Sequence, residues 1–378
     1  MIRGIDVHTG QAVELECRDG RITRRQLIPL TEDLPCLSVG WFDLQVNGWA
    51  GIDFNTDTIS LADAEKLVRL LAKSGTTRFL PTVITASPEK IIERVAKIAE
   101  YCDTSPTVRR AVVGIHVEGP FIAEADGPRG AHDRQFVRDP SVAELDEWIE
   151  ASGNRVRMVT LAPERPGAIE FIRALGERRI IAALGHTACS GEDVEAAVEA
   201  GARFSTHLGN GLSNQIHRHN NPVWPQLAAD SLVTGLIADG FHLPDSLLKV
   251  MAAAKGVFRV ILVSDVTAPG GLRAGTHTWS GMEVTVSDTG RISLAGTPYL
   301  AGAGHLLDRG IAVFLRATGL TLDKAITTVT ANPHALLALP KTWSSLNVGS
   351  PGDIVSFRVR PDSDSASIEA VYIEGELV

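Results

Sequence analysis

The chain has 378 residues, of which 44% are hydrophobic, with 35 glycines, 19 prolines and a net charge of -9. The length suits one large barrel of about 250 residues with a smaller appended unit, and the composition excludes disordered and collagen-like chains. The acidic balance argues against nucleic acid or an anionic membrane as the main partner, since both select clustered Lys and Arg, so we expect a small-molecule substrate.

The N-terminal residues Met1 to Asp6 lack the apolar stretch of a signal peptide, and no uncharged apolar run approaches the roughly 18 residues of a membrane span. Four cysteines lie far apart without a CxxC pair: Cys17, Cys36, Cys102 and Cys189. This spacing is typical of reduced thiols, and we expect small buried hydrophobic residues rather than disulfides. The sequence therefore predicts a soluble, cytoplasmic protein.

The two ends of the chain share a pattern of short alternating segments. Residues 1–38 alternate between apolar and polar side chains around an Asp19-Gly20 turn, and residues 346–378 show the same alternation. Such segments are typical of small antiparallel strands. We predict that both ends pair into one small, discontinuous β-sandwich domain, interrupted by residues 39–345.

Between the two ends, apolar strand-like runs alternate with helical periodicity. Eight runs are predicted strands, near residues 41–46, 77–83, 111–118, 156–162, 181–186, 203–207, 233–239 and 260–265. Serines suited to N-caps precede three of the predicted helices, at Ser60, Ser87 and Ser190. Eight alternating units predict an α/β fold, a TIM-like (β/α)8 barrel over residues 39–345. A doubly wound open sheet is the alternative, but it does not need eight units.

A β-hairpin is predicted after the eighth strand. Its two strands are Met282–Val286 and Arg291–Leu294, and Asp288-Thr289-Gly290 supplies the turn. Because the hairpin follows a barrel strand, we expect it near the barrel mouth, where it would help to cover the site.

The carboxyl ends of five predicted strands carry side chains suited to catalysis, which is where barrel enzymes hold such residues. These ends are His116-Val117-Glu118-Gly119-Pro120, Gly185-His186-Thr187, Thr206-His207-Leu208, Asp239-Gly240-Phe241-His242 and Ser264-Asp265. A single histidine at a strand end is more often a hydrogen-bonding loop residue than a ligand. Five converging ends that supply histidines and carboxylates instead indicate a divalent-metal hydrolase.

We assign Glu118, His186 and His207 as the metal ligands. Imidazoles and a carboxylate suit zinc, or alternatively iron or another divalent ion, which lowers the pKa of a bound water towards about 7. Asp265 is then the general base that takes a proton from this water and passes it to the leaving group. The alternative role for Asp265 is that of a cap or turn residue before the following loop.

With these residues the sequence resembles the amidohydrolase superfamily, and within it the N-acetylglucosamine-6-phosphate deacetylases. The matching segments follow the family's order and span nearly the whole chain: Asp43-Leu44-Gln45-Val46-Asn47-Gly48, His116-Val117-Glu118-Gly119-Pro120-Phe121, Gly130-Ala131-His132, Gly185-His186-Thr187, Thr206-His207-Leu208, Ala238-Asp239-Gly240-Phe241-His242 and Val263-Ser264-Asp265-Val266-Thr267-Ala268-Pro269. Each segment alone is a weak signal, whereas the ordered set is highly specific.

The resemblance implies an enzyme of amino sugar metabolism that hydrolyses the acetamide of N-acetylglucosamine 6-phosphate, giving glucosamine 6-phosphate and acetate. It implies the metal-binding and acid-base roles assigned above, and it adds two substrate-contacting histidines, His242 and, near the acyl group, His132. It also implies a homodimer with the 209–224 loop near the interface.

The 209–224 loop departs from the family pattern, which has an Asn-Ala-Met-like turn and then an Arg-containing segment for the sugar phosphate. Asn210-Gly211 can stand in for the turn, and Arg218 can clamp a phosphate because guanidinium makes paired, charge-assisted bonds. Other side chains of the loop equally suit an uncharged sugar: His219, Asn220, Asn221 and Trp224. A solvated surface loop is the third interpretation. Ala303 replaces the serine of a Leu-Ala-Gly-Ser turn, so a substrate-side hydroxyl is missing.

The first barrel strand ends in two amides, Gln45 and Asn47, which face the same side because residues two apart on a strand share a face. Many amidohydrolases carry His-x-His at this position, where two imidazoles bind a second metal. Amide oxygens are much weaker ligands for zinc-like ions. The sequence therefore predicts one divalent ion per subunit, with both amides bonded to water or to neighbouring side chains.

Three functional hypotheses remain at this point. The first is a metal-dependent deacetylase of N-acetylglucosamine 6-phosphate. The second keeps the metal and the reaction but takes an unphosphorylated N-acetyl sugar or another small amide. The third is a non-catalytic sugar-binding barrel, and Asp265 beside a metal-ligand set argues against it, since a binding module needs no base.

Overall fold

The computed structural model describes residues 1–297, 299–360 and 363–378. The strands are β1 Ile2–Asp6, β2 Ala12–Arg18, β3 Arg21–Leu27, β4 Cys36–Val39, β5 Trp41–Val46, β6 Gly48–Trp49, β7 Ile52–Asp53, β8 Thr76–Ile84, β9 Ile115–Glu118, β10 Val156–Leu161, β11 Ile181–Leu184, β12 Phe204–Ser205, β13 Val233–Leu236, β14 Val260–Leu262, β15 Gly275–Trp279, β16 Met282–Val286, β17 Ile292–Leu294, β18 Ile354–Arg358, β19 Ser367–Ile373 and β20 Glu376–Leu377. The α-helices are α1 Leu61–Lys73, α2 Pro88–Thr104, α3 Pro106–Ala111, α4 Val142–Ala151, α5 Ala168–Glu177, α6 Gly191–Ala200, α7 Val223–Ala228, α8 Asp245–Lys255, α9 Leu307–Thr318, α10 Leu322–Thr327 and α11 Ala331–Leu336.

Eight parallel strands form the predicted barrel, in the order β5, β8, β9, β10, β11, β12, β13 and β14. The barrel closes between its last and first strands, where the Asp265 amide donates to the Gln45 carbonyl at 3.0 Å and the Asn47 amide donates to the Val266 carbonyl at 2.9 Å. Nearer the start of the first strand, the Phe42 amide donates to the Val329 carbonyl and not to the last strand. The (β/α)8 prediction is confirmed.

The predicted strands are right in number and order, but several end earlier than expected. The third begins at Ile115 rather than 111, because residues 106–111 form α3, whose N-cap Ser105 accepts a bond from Val108 N. The sixth and eighth stop before their functional residues, since His207 and Asp265 have φ values of 28° and 51°, outside the strand region. The chain therefore leaves the barrel wall just before these side chains.

Serine caps begin the helices that the sequence marks with them. In α1, Ser60 Oγ accepts from Asp63 N and Asp63 Oδ2 accepts from Ser60 N, which is a capping box. Ser190 forms the same box at α6, and Ser87 caps α2. The starts of α1, α2 and α6 are thus set by local side-chain bonds, whereas α6 ends at its C-cap Gly201, whose left-handed backbone lets its N–H bond the last turn.

Strands from both chain ends pair in one sheet, in the order β20, β19, β18, β4, β1, β2 and β3. The ladder is continuous through β4, so the terminal β-domain is a single connected sheet whose inner side chains pack together around Val13, Leu15 and Ile354. A buried ion pair joins it to the barrel, with Arg78 of β8 2.6 Å from Asp353. The predicted assembly of both termini into one β-unit is confirmed.

The predicted hairpin forms as β16 and β17, and β15 adds a third antiparallel strand to it. Trp279 Nε1 at the end of β15 donates to Asp53 Oδ2 at 2.9 Å, which ties this small sheet to the segment that follows the first barrel strand. The sheet therefore packs beside the barrel mouth. Among the described helices, none is both long and apolar enough to cross a bilayer.

Candidate active site

Three buried side chains converge at the carboxyl end of the barrel. Glu118 is the last residue of β9, and His186 and His207 each lie two residues beyond β11 and β12. Glu118 Oε1 is 3.1 Å from His207 Nε2 and 3.4 Å from His186 Nε2, and the two Nε2 atoms are 3.1 Å apart. Ligand atoms around a tetrahedral zinc ion lie about 3.3 Å from one another. The donor set and its spacing therefore fit a divalent metal.

The backbone at this site is held in conformations that ordinary residues rarely adopt. His186, His207 and Asp265 all have positive φ, at 52°, 28° and 51°. Such strain persists only where the surrounding structure imposes it, and it clusters at functional sites. Gly211 contributes to the arrangement, because a Cβ at this position would lie 3.0 Å from His186 Nδ1. These turns aim the three side chains inwards, towards one another.

Hydrogen bonds orient the two imidazoles and favour the ionised form of Glu118. His186 Nδ1–H donates to the Pro128 carbonyl at 2.9 Å, which fixes the ring with its Nε2 atom towards Glu118. Burial opposes the ionised form of Glu118, but the bonds to His186 and His207 outweigh it and hold the Glu118 pKa well below its usual range. Burial likewise disfavours a charged His207, yet Glu118 raises its pKa. The cluster thus keeps a carboxylate available as a ligand.

The two amides of the first strand bond neighbouring side chains of the site. Gln45 Nε2 donates to Glu118 Oε1 at 2.8 Å, and Asn47 Nδ2 donates to Asp265 Oδ1 at 2.9 Å. Their amide oxygens are buried and have no hydrogen-bond partner among the described residues. Each amide therefore orients one carboxylate and keeps an acceptor free for another molecule.

Asp265 lies beside the three converging ligands, at the point where the barrel closes. Burial and the neighbouring charge of Glu118 raise the pKa of Asp265 to about 6, and His207, His242 and Asn47 act in the opposite direction. A carboxyl with a pKa in this range accepts and returns a proton near neutral pH. A cation bound beside it would lower this pKa, because opposite charge favours the carboxylate.

His242 is fixed by the aspartate that precedes it in the sequence. Its Nδ1–H donates to Asp239 Oδ2 at 2.8 Å, and Asp239 Oδ1 accepts from the amides of Phe241 and His242. Burial disfavours the Asp239 carboxylate, but the bond from His242 and these amides lower its pKa overall. The Nε2 atom of His242 is left to interact with another group.

His132 enters the site from the loop that follows β9. Its Nε2 is 3.9 Å from Glu118 Oε2, and its ring packs edge-on against His186, with centroids 4.4 Å apart. Its Nδ1 lies 2.7 Å from the Thr85 hydroxyl. Burial, and then the proximity of His186, lowers the pKa of His132 to about 3, so this imidazole is neutral.

The 209–224 loop reaches the site only through its first residues. Asn210 bonds the His207 carbonyl through both its backbone N and its Nδ2, and Gly211 packs against His186. Arg218 is exposed, and its carbonyl accepts from Trp224 Nε1 at 3.0 Å. In the described part of the chain, no hydrogen bond or ion pair joins the Arg218 guanidinium to the site. The structure thus brings Asn210 to His207 and Gly211 to His186, but does not bring Arg218 to either histidine.

Sequence reasoning missed two residues that support the site. Thr85, directly after β8, contacts His132, and Asp43 lies inside the barrel, where it accepts from the amides of Gln45 and Ser264. Burial raises the pKa of Asp43 to about 7. Their position at or near strand ends was the available signal, but His132 and Ser264, the partners that connect them to the site, are distant in sequence.

Comparison with known proteins gives consistent results. Residues 42–378 match the amidohydrolase family. The chain is 34% identical over 352 residues to N-acetylglucosamine-6-phosphate deacetylase of Rattus norvegicus, covering 90% of this chain and 83% of that protein. It is 29% identical over 368 residues to N-acetylgalactosamine-6-phosphate deacetylase of Escherichia coli, covering 96% and 94%. A structure of N-acetyl-D-glucosamine-6-phosphate deacetylase from Mycobacterium smegmatis, in complex with N-acetyl-D-glucosamine-6-phosphate, aligns with a TM-score of 0.87 at 26% identity, covering 100% of this chain and 98% of that chain.

Proposed function

The chain belongs to the amidohydrolase family, and on this premise we propose that it hydrolyses the acetamide of N-acetylglucosamine 6-phosphate to glucosamine 6-phosphate and acetate. The observation that carries this proposal is the convergence of Glu118, His186 and His207, with Asp265 beside them. Two relatives that match 90% and 96% of this chain act, by their names, on N-acetylated amino sugar phosphates.

One divalent ion per subunit, zinc in the first place, is the cofactor of this proposal, and Glu118, His186 and His207 would hold it. When bound, such an ion lowers the pKa of a water and polarises the acetamide carbonyl. The spacing of the three ligand atoms supports a single site. Gln45 supports it as well, because its amide already bonds Glu118 instead of offering an imidazole for a second ion.

Asp265 moves the proton of the reaction. Hydrolysis forms a bond from water oxygen to the acyl carbon and breaks the carbon–nitrogen bond, so a proton must pass from the water to the departing nitrogen. Asp265 takes this proton as a base and returns it as an acid, because an unprotonated amine is a poor leaving group. Asn47 keeps one carboxylate oxygen occupied and leaves the other for the transfer.

Neutral histidines and the start of the 209–224 loop bind the substrate in this proposal. His132 faces the acyl region, and His242 contacts the sugar through the Nε2 that its bond to Asp239 leaves free. Asn210 and Gly211 line the site next to the metal ligands. We also propose that Arg218 binds the sugar phosphate, and its charge and exposure support this role. In this proposal Arg218 contacts the substrate of the neighbouring subunit across the dimer interface.

We propose a homodimer that uses this same loop. Ile216 and Trp224 expose 43% and 48% of their surfaces, and large exposed side chains grouped on one loop favour a protein contact. Light scattering of the purified protein measures the mass directly. A monomer at micromolar concentration would contradict the dimer and remove the support for Arg218.

The domain boundaries at residues 38/39 and 345/346 and the cytoplasmic location stay predictions from the sequence.

Acetate release tests the proposed function. Zinc-loaded protein is assayed side by side with N-acetylglucosamine 6-phosphate, N-acetylgalactosamine 6-phosphate and free N-acetylglucosamine. We expect the highest kcat/KM for N-acetylglucosamine 6-phosphate. Equal or better turnover of the free sugar would reject the phosphate assignment, and a preference for the galactosamine derivative would favour the activity named for the relative that covers 96% of this chain. Metal analysis that finds two fully occupied ions per chain would reject the single site.

A further inference from the structure

We propose that Thr85 is a positioning residue that sets the tautomer of His132, so that His132 presents an Nε2–H donor to the substrate carbonyl oxygen. The inference rests on the proposed function for its catalytic consequence. The tautomer itself is a property of the protein and can be measured without turnover.

The hydroxyl of Thr85 has two polar neighbours at different distances. Its Oγ1 lies 2.7 Å from His132 Nδ1 and 3.5 Å from the Glu118 carbonyl oxygen. The side chains of Thr85 and His132 belong to residues that are only 5% and 6% exposed, so bulk water does not compete for this contact. A distance of 2.7 Å is that of a good hydrogen bond, whereas 3.5 Å lies at the outer limit.

The other nitrogen of His132 faces the reacting region. Its Nε2 is 3.9 Å from Glu118 Oε2, and the ring stands edge-on to His186. With Nδ1 occupied by Thr85, Nε2 is the atom that His132 offers to a substrate. Whether this atom donates or accepts depends on which nitrogen carries the single hydrogen of the neutral imidazole.

Two arrangements of hydrogens are possible, and the geometry favours one of them. If His132 Nδ1–H donated to Thr85, the hydroxyl hydrogen could only reach the carbonyl at 3.5 Å, and the Nε2 lone pair would face the Glu118 carboxylate. If Thr85 donates to Nδ1, its hydrogen lies in the short contact and Nε2–H faces the carboxylate oxygen. The second arrangement makes the better hydrogen bond and removes the electrostatic repulsion.

The neighbouring backbone leaves space for this hydroxyl. Gly119 follows Glu118, and a Cβ at this position would lie only 2.2 Å from Thr85 Oγ1. Any other residue would therefore push the hydroxyl away from His132. Arg129 supports the other side of the contact, because its Nη1 donates to the His132 carbonyl at 2.7 Å. Gly119 therefore leaves space for the Thr85 hydroxyl in addition to forming a turn with positive φ.

A donor at Nε2 has a direct use in amide hydrolysis. Negative charge develops on the carbonyl oxygen as the water attacks, and a fixed N–H lowers the energy of that state. The lone pair of the opposite tautomer would repel the same oxygen. Removal of one donor to a developing oxyanion lowers kcat about 10²- to 10³-fold, and we expect loss of the hydroxyl that orients the donor to cost less, roughly ten- to hundredfold.

The test compares Thr85→Val, which keeps the shape and removes the hydroxyl, with Thr85→Ser, which keeps the hydroxyl. In zinc-loaded protein we expect Thr85→Val to lower kcat roughly ten- to hundredfold with KM and metal content unchanged, and Thr85→Ser to retain activity close to that of the unaltered protein. Added to His132→Ala, Thr85→Val should cause no further loss, because the group it orients is absent.

Nitrogen NMR of histidine-labelled, zinc-loaded protein reads the tautomer without substrate, with the His132 signal identified by its absence in His132→Ala. We expect Nε2–H in the unaltered protein and a shift towards Nδ1–H in Thr85→Val. An Nδ1–H tautomer in the unaltered protein, equal losses in Thr85→Val and Thr85→Ser, or a full further loss on top of His132→Ala would each overturn the inference. If the protein released no acetate from any sugar, the proposed function would fail while the NMR result still decided the tautomer.

Discussion

Replacement of Asp265 by asparagine separates its acid-base role from its role as a hydrogen-bond acceptor. An asparagine in the same rotamer keeps an oxygen for Asn47 Nδ2, which now bonds Asp265 Oδ1 at 2.9 Å. It also keeps the volume of the side chain. What it removes is the ability to take a proton from water and return it to the departing nitrogen.

The expected fall in kcat of Asp265→Asn follows from the loss of proton transfer alone. Positioned proton transfer contributes about 10²- to 10⁴-fold to rate, which corresponds to roughly 3 to 5.5 kcal/mol of transition-state stabilisation. Asp265 is not one of the three converging ligands, so Asp265→Asn should bind metal as the unaltered protein does. We therefore expect kcat to fall by at least about a hundredfold with KM nearly unchanged.

The pH dependence provides a second measurement of the same residue. Burial and Glu118 raise the pKa of Asp265 to about 6, and the base form is the deprotonated one. Activity should thus fall as the pH drops through this pKa, and a bound cation moves that limb to lower pH. Acetate release is measured across pH together with metal content. Activity of Asp265→Asn within threefold of the unaltered protein, or a loss explained by missing metal, would refute the reasoning.

Three further predictions concern residues around the site and the link between the two units. Gln45→Leu removes the bond to Glu118 and should weaken metal binding by about 1.5–3 kcal/mol, measured by chelator competition; unchanged affinity would contradict it. Asp239→Asn should lower kcat/KM by up to about a hundredfold, because it weakens the bond that orients the His242 imidazole; an equal further loss when it is added to His242→Ala would contradict this. Arg78→Met leaves Asp353 buried without its ion-pair partner and should cost about 3–5 kcal/mol in urea unfolding. The double variant with Asp353→Leu should recover much of this loss.

Much of the fold, and the residues that converge at the candidate site, could be predicted from sequence, because both depend on short-range patterns. Apolar runs of strand length and serine-capped helices predicted the eight units, and Ser60 and Ser190 indeed form capping boxes. Glu118, His186 and His207 could be named in advance because parallel barrel strands deliver their carboxyl ends to one mouth. Neither step requires knowledge of distant contacts.

Strand ends and supporting residues could not be predicted in the same way. The left-handed backbone at His207 and Asp265 ends two strands early; His and Asp adopt it more often than most residues, but it is uncommon even for them, so local sequence does not mark these two positions. Thr85 is 47 residues from His132, and Asp43 is 221 residues from Ser264. Pairs at such separations leave no periodic signal, since only the packing of different strands brings them together.

The sequence alone indicated the class of chemistry, because the residue types at the strand ends restrict it: two imidazoles, a carboxylate and a separate aspartate are typical of metal-assisted hydrolysis. It also determined that Gln45 and Asn47 are amides and not imidazoles. The tertiary structure decided what these amides do, since each donates to a carboxylate from another strand, Glu118 or Asp265. It also decided that Arg218 makes no contact with the site among the described residues, because hydrogen bonds form only over a few ångströms and only the folded chain sets these distances.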